Sequence, residues 1–329
     1  MKSAYVFDDE TILCRRTSCG WLPVLVQWST QDTRTLTCPP NDQHDYHVGQ
    51  VRLAPSLAPS HWMSSDWISS DYEDNYPSET LTEKDAPSAY AISYQYAIDN
   101  KLPLPLIDAE SSAVSSGSNT DSTAAFIAYR QLMTQLPATL CDQLSQAIQL
   151  LRWQADTQFC SRCSAAVSIA ESGERAMVCP VCYYRQYPRV QPCVITAITR
   201  PNPQTGEMQI LLAHHHRYGH SNPPLLYGLI AGFVEVGESL EHAVARETYE
   251  EVGIHLDNIR YIGSQPWPFP SNLMIGFRAS YHSGTIVLQE DELSHAEFFD
   301  ISNLPKIPFK GSIAYELIAR IANEQGLSI

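Results

Sequence analysis

Three groups of residues in this 329-residue chain have types and spacings that could do chemistry. The densest runs from Gly232 to Ile254, GFVEVGESLEHAVARETYEEVGI, where Gly232 is followed by Glu238, Arg246, Glu247, Glu250 and Glu251. Ser239 is placed to cap a helix that starts near Leu240, and Gly253 to end it in a left-handed conformation. At about 100° per residue, Leu240, Ala243 and Val244 share one face, and Glu247, Glu250 and Glu251 continue that face one turn later. A solvated helix with Arg246–Glu250 as an i,i+4 pair would instead carry its acids opposite the apolar stripe. Three acids on the core side repel one another unless cations neutralise them. Oxygen ligands of this kind suit Mg²⁺ or Mn²⁺, which also bind substrate phosphates.

The second group is Cys160-x2-Cys163, fifteen residues, then Cys179-x2-Cys182. Two such turns can close a tetrahedron of thiolates around Zn²⁺. Four thiolates leave no open position, so this spacing predicts a structural ion, against the alternatives of unligated buried thiols or a redox pair. The other five of the nine cysteines are scattered, and an odd total with no export signal does not read as a disulfide framework. The third group is Ser264-Gln265-Pro266-Trp267-Pro268-Phe269-Pro270, followed by Ser271-Asn272. Three prolines fix φ along it, and Trp267 and Phe269 could offer flat faces to a base; a purely structural loop has the same composition. His214-His215-His216 ends an apolar run. Adjacent side chains on a strand alternate faces, so the triplet reads as a polar strand end near phosphate rather than a metal site. No GxGxxG is present, which leaves a Rossmann cofactor site unsupported.

Elements must position these groups. The length suggests two domains, and 44% hydrophobic residues supply ample core. Short apolar runs such as Leu22–Trp28 suggest strands in residues 1–60. Residues 64–90 are acidic and turn-rich, and 108–123 are Ser-rich, as expected of insertions. A helical period runs from Ala124 to Trp153, with Leu140, Leu144, Ile148 and Leu151 on one face. The Cys pairs follow, then alternating strands with two helices. The net charge is −15, with 17 acids against 8 bases in residues 1–130 and 19 against 13 afterwards, so no broad surface for a nucleic-acid backbone is expected. No apolar run approaches the roughly 20 residues that span a bilayer, and the N-terminus has no apolar signal-like stretch, so the expectation is a cytoplasmic protein without a membrane partner.

The Gly232–Ile254 segment resembles the Nudix box at every charged and glycine position, with Thr248 standing where an aliphatic residue is usual. SQPWPFP resembles the NADH pyrophosphatase (NudC-type) subfamily. The resemblance covers roughly residues 137–329 and includes Tyr187–Pro192, Leu229–Phe233, Asp291–Leu293 and Gly311–Ala314. It implies an α/β fold: a Nudix α/β/α sandwich with a mixed sheet, preceded by a zinc ribbon and an N-terminal α+β domain. The divisions are 1–125 for the N-terminal domain, 126–156 for a helical connector, 157–188 for the ribbon and 189–329 for the catalytic domain. It further implies that Glu247, Glu251, Glu292 and the Ala231 carbonyl ligate Mg²⁺ or Mn²⁺, that Glu250 supports a second ion or the attacking water, and that Arg246 orients the glutamates. Cys160, Cys163, Cys179 and Cys182 would hold zinc. Gln265, Pro266, Trp267, Pro268, Phe269, Pro270, Ser271, Asn272 and Ala314 would line a dinucleotide site, and Phe233 would stack on nicotinamide. Tyr187 and Glu174 would come from the second protomer of a homodimer. The implied reaction is hydrolysis of NADH or NAD to AMP and nicotinamide mononucleotide. The alternatives are removal of a NAD cap from RNA 5′ ends by the same chemistry, or a non-catalytic zinc-ribbon regulator with a dead Nudix domain.

Overall fold

Alternating apolar residues on β-strands decide the architecture of the C-terminal unit, Val190–Ile329. A computed structural model describes residues 2–17, 20–28, 50–52, 90–107, 124–136, 138–172, 174–219 and 224–329. The strands of this unit are β11 (Gln191–Pro201), β12 (Met208–His215), β13 (Ile230–Phe233), β14 (His255–Trp267), β15 (Asn272–Ser283) and β16 (Leu293–Asp300). They form a sheet of order β14-β15-β11-β12-β16, with β13 paired to β11. The β11–β15 pair is parallel and the others are antiparallel, so the sheet is mixed.

Both faces of this sheet are apolar, because a helix covers each. Ile195 and Ala197 of β11 and Ile210 and Leu212 of β12 pack with Ile313, Leu317, Ile318 and Ile321 of α5 (Ile313–Glu324). Val194, in contrast, packs with Ala243 and Val244 of α4 (Leu240–Val252), together with Ile275 and Phe277. The period of two on the strands therefore produces an α/β/α sandwich. Ser239 caps α4, accepting from the His242 amide at 3.2 Å, and Gly253 ends it at φ 70°. Thr248 is fully buried, and its hydroxyl donates to the Val244 carbonyl at 2.8 Å, so this departure from the aliphatic pattern is satisfied inside the helix.

The N-terminal unit, Met1–Arg189, begins with a second mixed sheet. It contains β1 (Lys2–Asp8), β2 (Thr11–Thr17), β3 (Gly20–Pro23), β4 (Leu25–Trp28), β5 (Gln50–Arg52), β6 (Tyr90–Ser93) and β7 (Ala124–Ala128). The order is β3-β2-β1-β6-β5, with β4 on β1 and β7 on β2. Helices α1 (Tyr94–Asp99), α2 (Tyr129–Leu132) and α3 (Ala138–Asp156) complete an α+β unit. Ala4, Val6, Leu13, Val26, Ile92, Ala97 and Ala124 form its core. The helical period expected from Ala124 is corrected here: Ala124–Ala128 is a strand paired with Arg15–Thr11, and the long helix starts only at Ala138. Partner pairing overrides the helix propensity of an Ala-rich segment. On α3 the buried residues include Leu144, Ile148 and Leu150, whereas Leu140 and Leu151 are only partly buried. The acidic segment 64–90, apart from Tyr90, and the Ser-rich segment 108–123 lie outside the described residues. The chain then forms a small three-stranded sheet of β8 (Ser168–Ile169), β9 (Met177–Val178) and β10 (Arg185–Gln186) around the Cys pairs. Among the described residues no helix is long and apolar enough to cross a membrane.

Ile318 has no exposed surface and sits at the centre of the α5 contact. Ile318→Ala should cost about 2–5 kcal/mol through lost burial and the cavity left behind. Urea unfolding followed by circular dichroism checks this, and a loss under about 1 kcal/mol would contradict the packing described.

Candidate active site and metal centre

The carboxylates of α4 have three different environments. Glu251 is about 1% exposed, beneath β13. The Ala231 backbone N–H lowers its pKa, while among the described residues its Oε2 has no hydrogen-bond partner and lies 3.9 Å from Nε2 of His215. Burial, then the charges of Glu292 and Glu247, push its carboxyl up to about 8. Glu247 is half-buried and is also raised, chiefly by burial and further by Glu250 and Glu292, against the pull of Arg246. Its carboxylate lies so close to the Gly232 backbone that a Cβ there would collide with the carboxyl carbon and both oxygens. Glycine is needed at 232 for close approach. Glu250 differs from expectation: its side chain is 51% exposed, at the rim rather than the core side. At about 100° per residue, Glu250 sits at the edge of the arc that Glu247 and Glu251 share.

Arg246 ties these groups together. Its Nε and Nη2 grip both oxygens of Glu238 at 2.8 Å, Nη1 donates to Glu247 at 2.9 Å and to Glu250 at 2.8 Å, and Nη2 also donates to the Phe233 carbonyl at 2.9 Å. These bonds hold the Glu238 carboxyl down to about 2. The spread fork of a guanidinium can do this and an ammonium cannot. The charge of Glu292, exposed beside the start of β16, raises both Glu247 and Glu251. The oxygens of the three acids do not all close to within 4.8 Å of one another; among the described residues the four thiols do. A buried carboxylate oxygen with no donor, under the charge of two more acids, fits a divalent ion with oxygen ligands.

The histidine triplet is also corrected. His214 and His215 are both buried, because β12 is an interior strand and a register shift falls between them. His214 Nδ1 lies 2.7 Å from the Leu226 carbonyl, and His216 Nε2 lies 3.0 Å from that of Glu290. His215, kept neutral by burial with its pKa down at about 3, thus backs Glu251. Sequence reasoning missed His215, and it missed Arg217 and Cys193, whose charges or titration couple to the same acids. A bulge has no residue signature that would have revealed this.

Ser264–Trp267 ends β14, an edge strand, where Pro266 is tolerated. The side chain of Gln265 is committed to α5: it donates to the Gly311 carbonyl and accepts from the Ile313 amide, both at 2.8 Å. Pro268 is buried. Trp267 meets Phe269 edge-on at 5.2 Å and lies nearly parallel to Phe309, a residue not anticipated, at 6.5 Å. Asn272 is buried; its Nδ2 donates to the Phe269 carbonyl at 3.3 Å and its Oδ1 has no partner. The Ser271 carbonyl accepts from Gln191, and Pro270 is exposed. Ala314 is buried in the first turn of α5, while Phe233 is 48% exposed. Tyr187 and Glu174 belong to the N-terminal unit, where the Tyr187 hydroxyl donates to Glu174 at 2.9 Å and Arg185 pairs with the same carboxylate.

The Cys quartet is built from twin turns. Ser164 N–H reaches the Cys160 carbonyl at 2.8 Å and Tyr183 N–H the Cys179 carbonyl at 3.0 Å, with Ser164 and Tyr183 both left-handed at φ 61° and 57°. Sulfur pairs Cys160–Cys182, Cys163–Cys179 and Cys163–Cys182 lie at 3.5, 3.4 and 3.5 Å. A tetrahedron with metal–sulfur bonds near 2.3 Å has edges of about 3.8 Å, so the donors fit such an ion. The Cys182 N–H points at Cys179 and helps hold its thiol down to about 6.

The raised carboxyl of Glu251 has a consequence for stability. Between about 4.5 and about 8 the folded chain keeps a proton that the unfolded chain has released. His215, depressed to about 3 in the fold, works the other way up to its ordinary value of 6.5, so the two offset each other below that point. Stability therefore falls as pH rises from about 6.5 to about 8 when no divalent ion is added. Glu251→Gln should flatten this decline; melting temperatures taken from about pH 5 to about pH 8.5 test it, and parallel profiles for the two proteins would refute it.

Residues 191–321 match the model of the NUDIX domain. The chain is 43% identical over 189 residues to a protein of Stutzerimonas stutzeri named NAD-capped RNA hydrolase NudC, covering 57% of this chain and 64% of that one. It is 45% identical over 193 residues to a protein of the same name from Photobacterium profundum, covering 59% of this chain and 68% of that one. For the first curated relatives that it matches, the chain spans about three fifths of their length, 59% to 64%. A solved NUDIX hydrolase from Nitrosomonas europaea overlaps 52% of this chain and 94% of its own, at 23% identity and a TM-score of 0.41. With the box on α4 seated against a mixed sheet and 45% identity across more than two thirds of the Photobacterium protein, the chain belongs to the Nudix family, in its NudC-type branch.

Proposed function

We propose that this chain hydrolyses the diphosphate bond of NADH or NAD, giving AMP and nicotinamide mononucleotide. The observation that carries this is the set of carboxylates: Glu247 pressed on Gly232, the unsatisfied buried oxygen of Glu251, and the charge of Glu292 acting on both. A non-catalytic regulator has no need to maintain a destabilising set of acids. Glu247, Glu251 and Glu292, with the Ala231 carbonyl, would hold Mg²⁺ or Mn²⁺. Such an ion, when bound, lowers the pKa of water and offsets diphosphate charge.

The chain's own residues do the rest. Arg246 fixes Glu247 and Glu250 in position through its grip on Glu238. Glu250, at the solvent rim, orients the attacking water or supports a second ion; the general base is not assigned between the acids. Water attacks one phosphorus, the bridging P–O bond breaks, and the leaving phosphate carries the electron pair. Exposed Phe233 stacks on the nicotinamide, and the stretch Gln265–Asn272 with Ala314 lines the dinucleotide site. Tyr187 and Glu174, already joined by a hydrogen bond, enter this site from a second protomer of a homodimer. Cys160, Cys163, Cys179 and Cys182 hold a structural zinc ion. The protein works in the cytoplasm. A second reading, removal of a NAD cap from RNA 5′ ends, has the support of the relatives' printed names and cuts the same bond.

Incubation of pure protein with Mn²⁺ and NADH, NAD-capped RNA or ADP-ribose, followed by chromatography, tests the reading. AMP and reduced nicotinamide mononucleotide are expected from NADH, and no turnover of any of the three would overturn it. Gly232→Ala should lower kcat by about 100-fold, since misplacing a reacting group by about 1 Å costs that much, while the melting temperature holds. Elemental analysis should find about one zinc per chain after purification without chelator. Protein free of zinc would remove the structural-ion assignment.

A further inference from the structure

At the end of the C-terminal sheet that lies beside the C-terminus of α5, the strands open into a groove of about 460 Å³. Arg260 and Arg278 line it with Thr199, Pro201, Met208 and Ser280, and none of its lining residues is acidic. In a chain of net charge −15, two guanidiniums side by side in one groove need a reason; that of Arg200 lies on the other face of the sheet, over Phe298. The β14–β15 register sets Arg260 directly opposite Arg278, and like charges directly opposed in a ladder are destabilising.

A bulge creates this pair. Counted from Asp257 opposite Ser280, a regular ladder would place Ile259 opposite Arg278; one extra residue, with Asn258 left-handed at φ 54°, places Arg260 there instead. Bulges of this kind re-aim side chains. The shift also turns Ile259 toward the core beside Val194 and Phe277, which explains the bulge but not the choice of arginine at 260. One of the two cations is held in place: Arg278 pairs with Glu324 of α5, a carboxylate also 3.9 Å from Arg320. Arg260 is exposed, with no partner among the described residues.

We propose that this groove is a second anion site that binds a phosphate group. Guanidinium forks match the several acceptor oxygens of phosphate, and the volume exceeds that of a bare ion, so the phosphate is carried on a nucleotide or on an oligonucleotide backbone. Arg278 lies six residues along β15 from Asn272, about 20 Å at about 3.3 Å per residue, so one phosphate cannot touch both this groove and the dinucleotide-lining stretch.

The test is binding without added Mg²⁺ or Mn²⁺, using a short labelled single-stranded oligoribonucleotide, AMP and inorganic phosphate as separate probes. The variants are Arg260→Ser and Arg278→Ser, with melting temperatures to confirm folding. Loss of about tenfold in affinity for at least one probe in Arg260→Ser supports the site. For the oligoribonucleotide, the slope of log affinity against log salt should also shrink by about 0.7. Binding of AMP or phosphate identifies a nucleotide site, and binding of the strand alone identifies a backbone site. No binding of any probe, or equal binding by wild type and both variants, overturns the proposal. NADH hydrolysis should be unchanged in Arg260→Ser, so a failure of the reaction and a failure of the groove are read separately.

Discussion

Glu251 places a carboxyl where solvent cannot reach it, and the surrounding site is organised by that constraint. An isolated buried carboxylate is expensive, and two neighbouring acids raise its cost further. The chain does not cancel this charge internally. Arg217 and the Ala231 amide only lower its pKa in part, His215 stays neutral, and among the described residues one oxygen has no donor. Arg246 places its hydrogen bonds on Glu238, Glu247, Glu250 and the Phe233 carbonyl, none of them on Glu251. The imbalance that destabilises the free protein is what a divalent ion would relieve, so binding and electrostatic strain are two sides of one arrangement.

Geometry follows from the same place. Gly232 has to lack a side chain for Glu247 to lie on β13, and α4 has to pack through Ala243 and Val244 for Glu251 to pass beneath that strand. The sandwich supplies the rigidity: Val194 and Ile195, adjacent on β11, point to opposite helices, so moving one helix disturbs the strand that holds β13. Gln265 extends the coupling, since its amide joins the end of β14 to the first turn of α5. The cysteine turns follow a different logic. Their shape is fixed by backbone hydrogen bonds repeated twice, and the four sulfurs converge as a result.

Local signals were legible in the sequence where they are complete within a few residues. Ser239 and Gly253 give the ends of α4, the apolar spacing gives its buried face, and the two CxxC turns give the quartet. The resemblance carried by the Gly232–Ile254 box and SQPWPFP led to the family. Other features were illegible because they depend on partners far along the chain. Ala124–Ala128 has helix-forming residues yet becomes a strand because β2 offers an unpaired edge. β1 pairs in parallel with β6 across more than eighty intervening residues, which no local pattern announces. Periodicity put Glu250 on the core side with its neighbours, although the exposed rim begins one residue before Glu251.

The sequence by itself determined the chemical inventory: oxygen donors clustered on one capped helix, four thiols at ribbon spacing, and a Pro-aromatic stretch after the box. Tertiary structure alone decided which of these donors are buried, which are paired and which are left unsatisfied. A residue's type and helical phase are local properties. Desolvation, the collision that forces glycine at 232, and the bulge that buries His215 each depend on where a second strand lies.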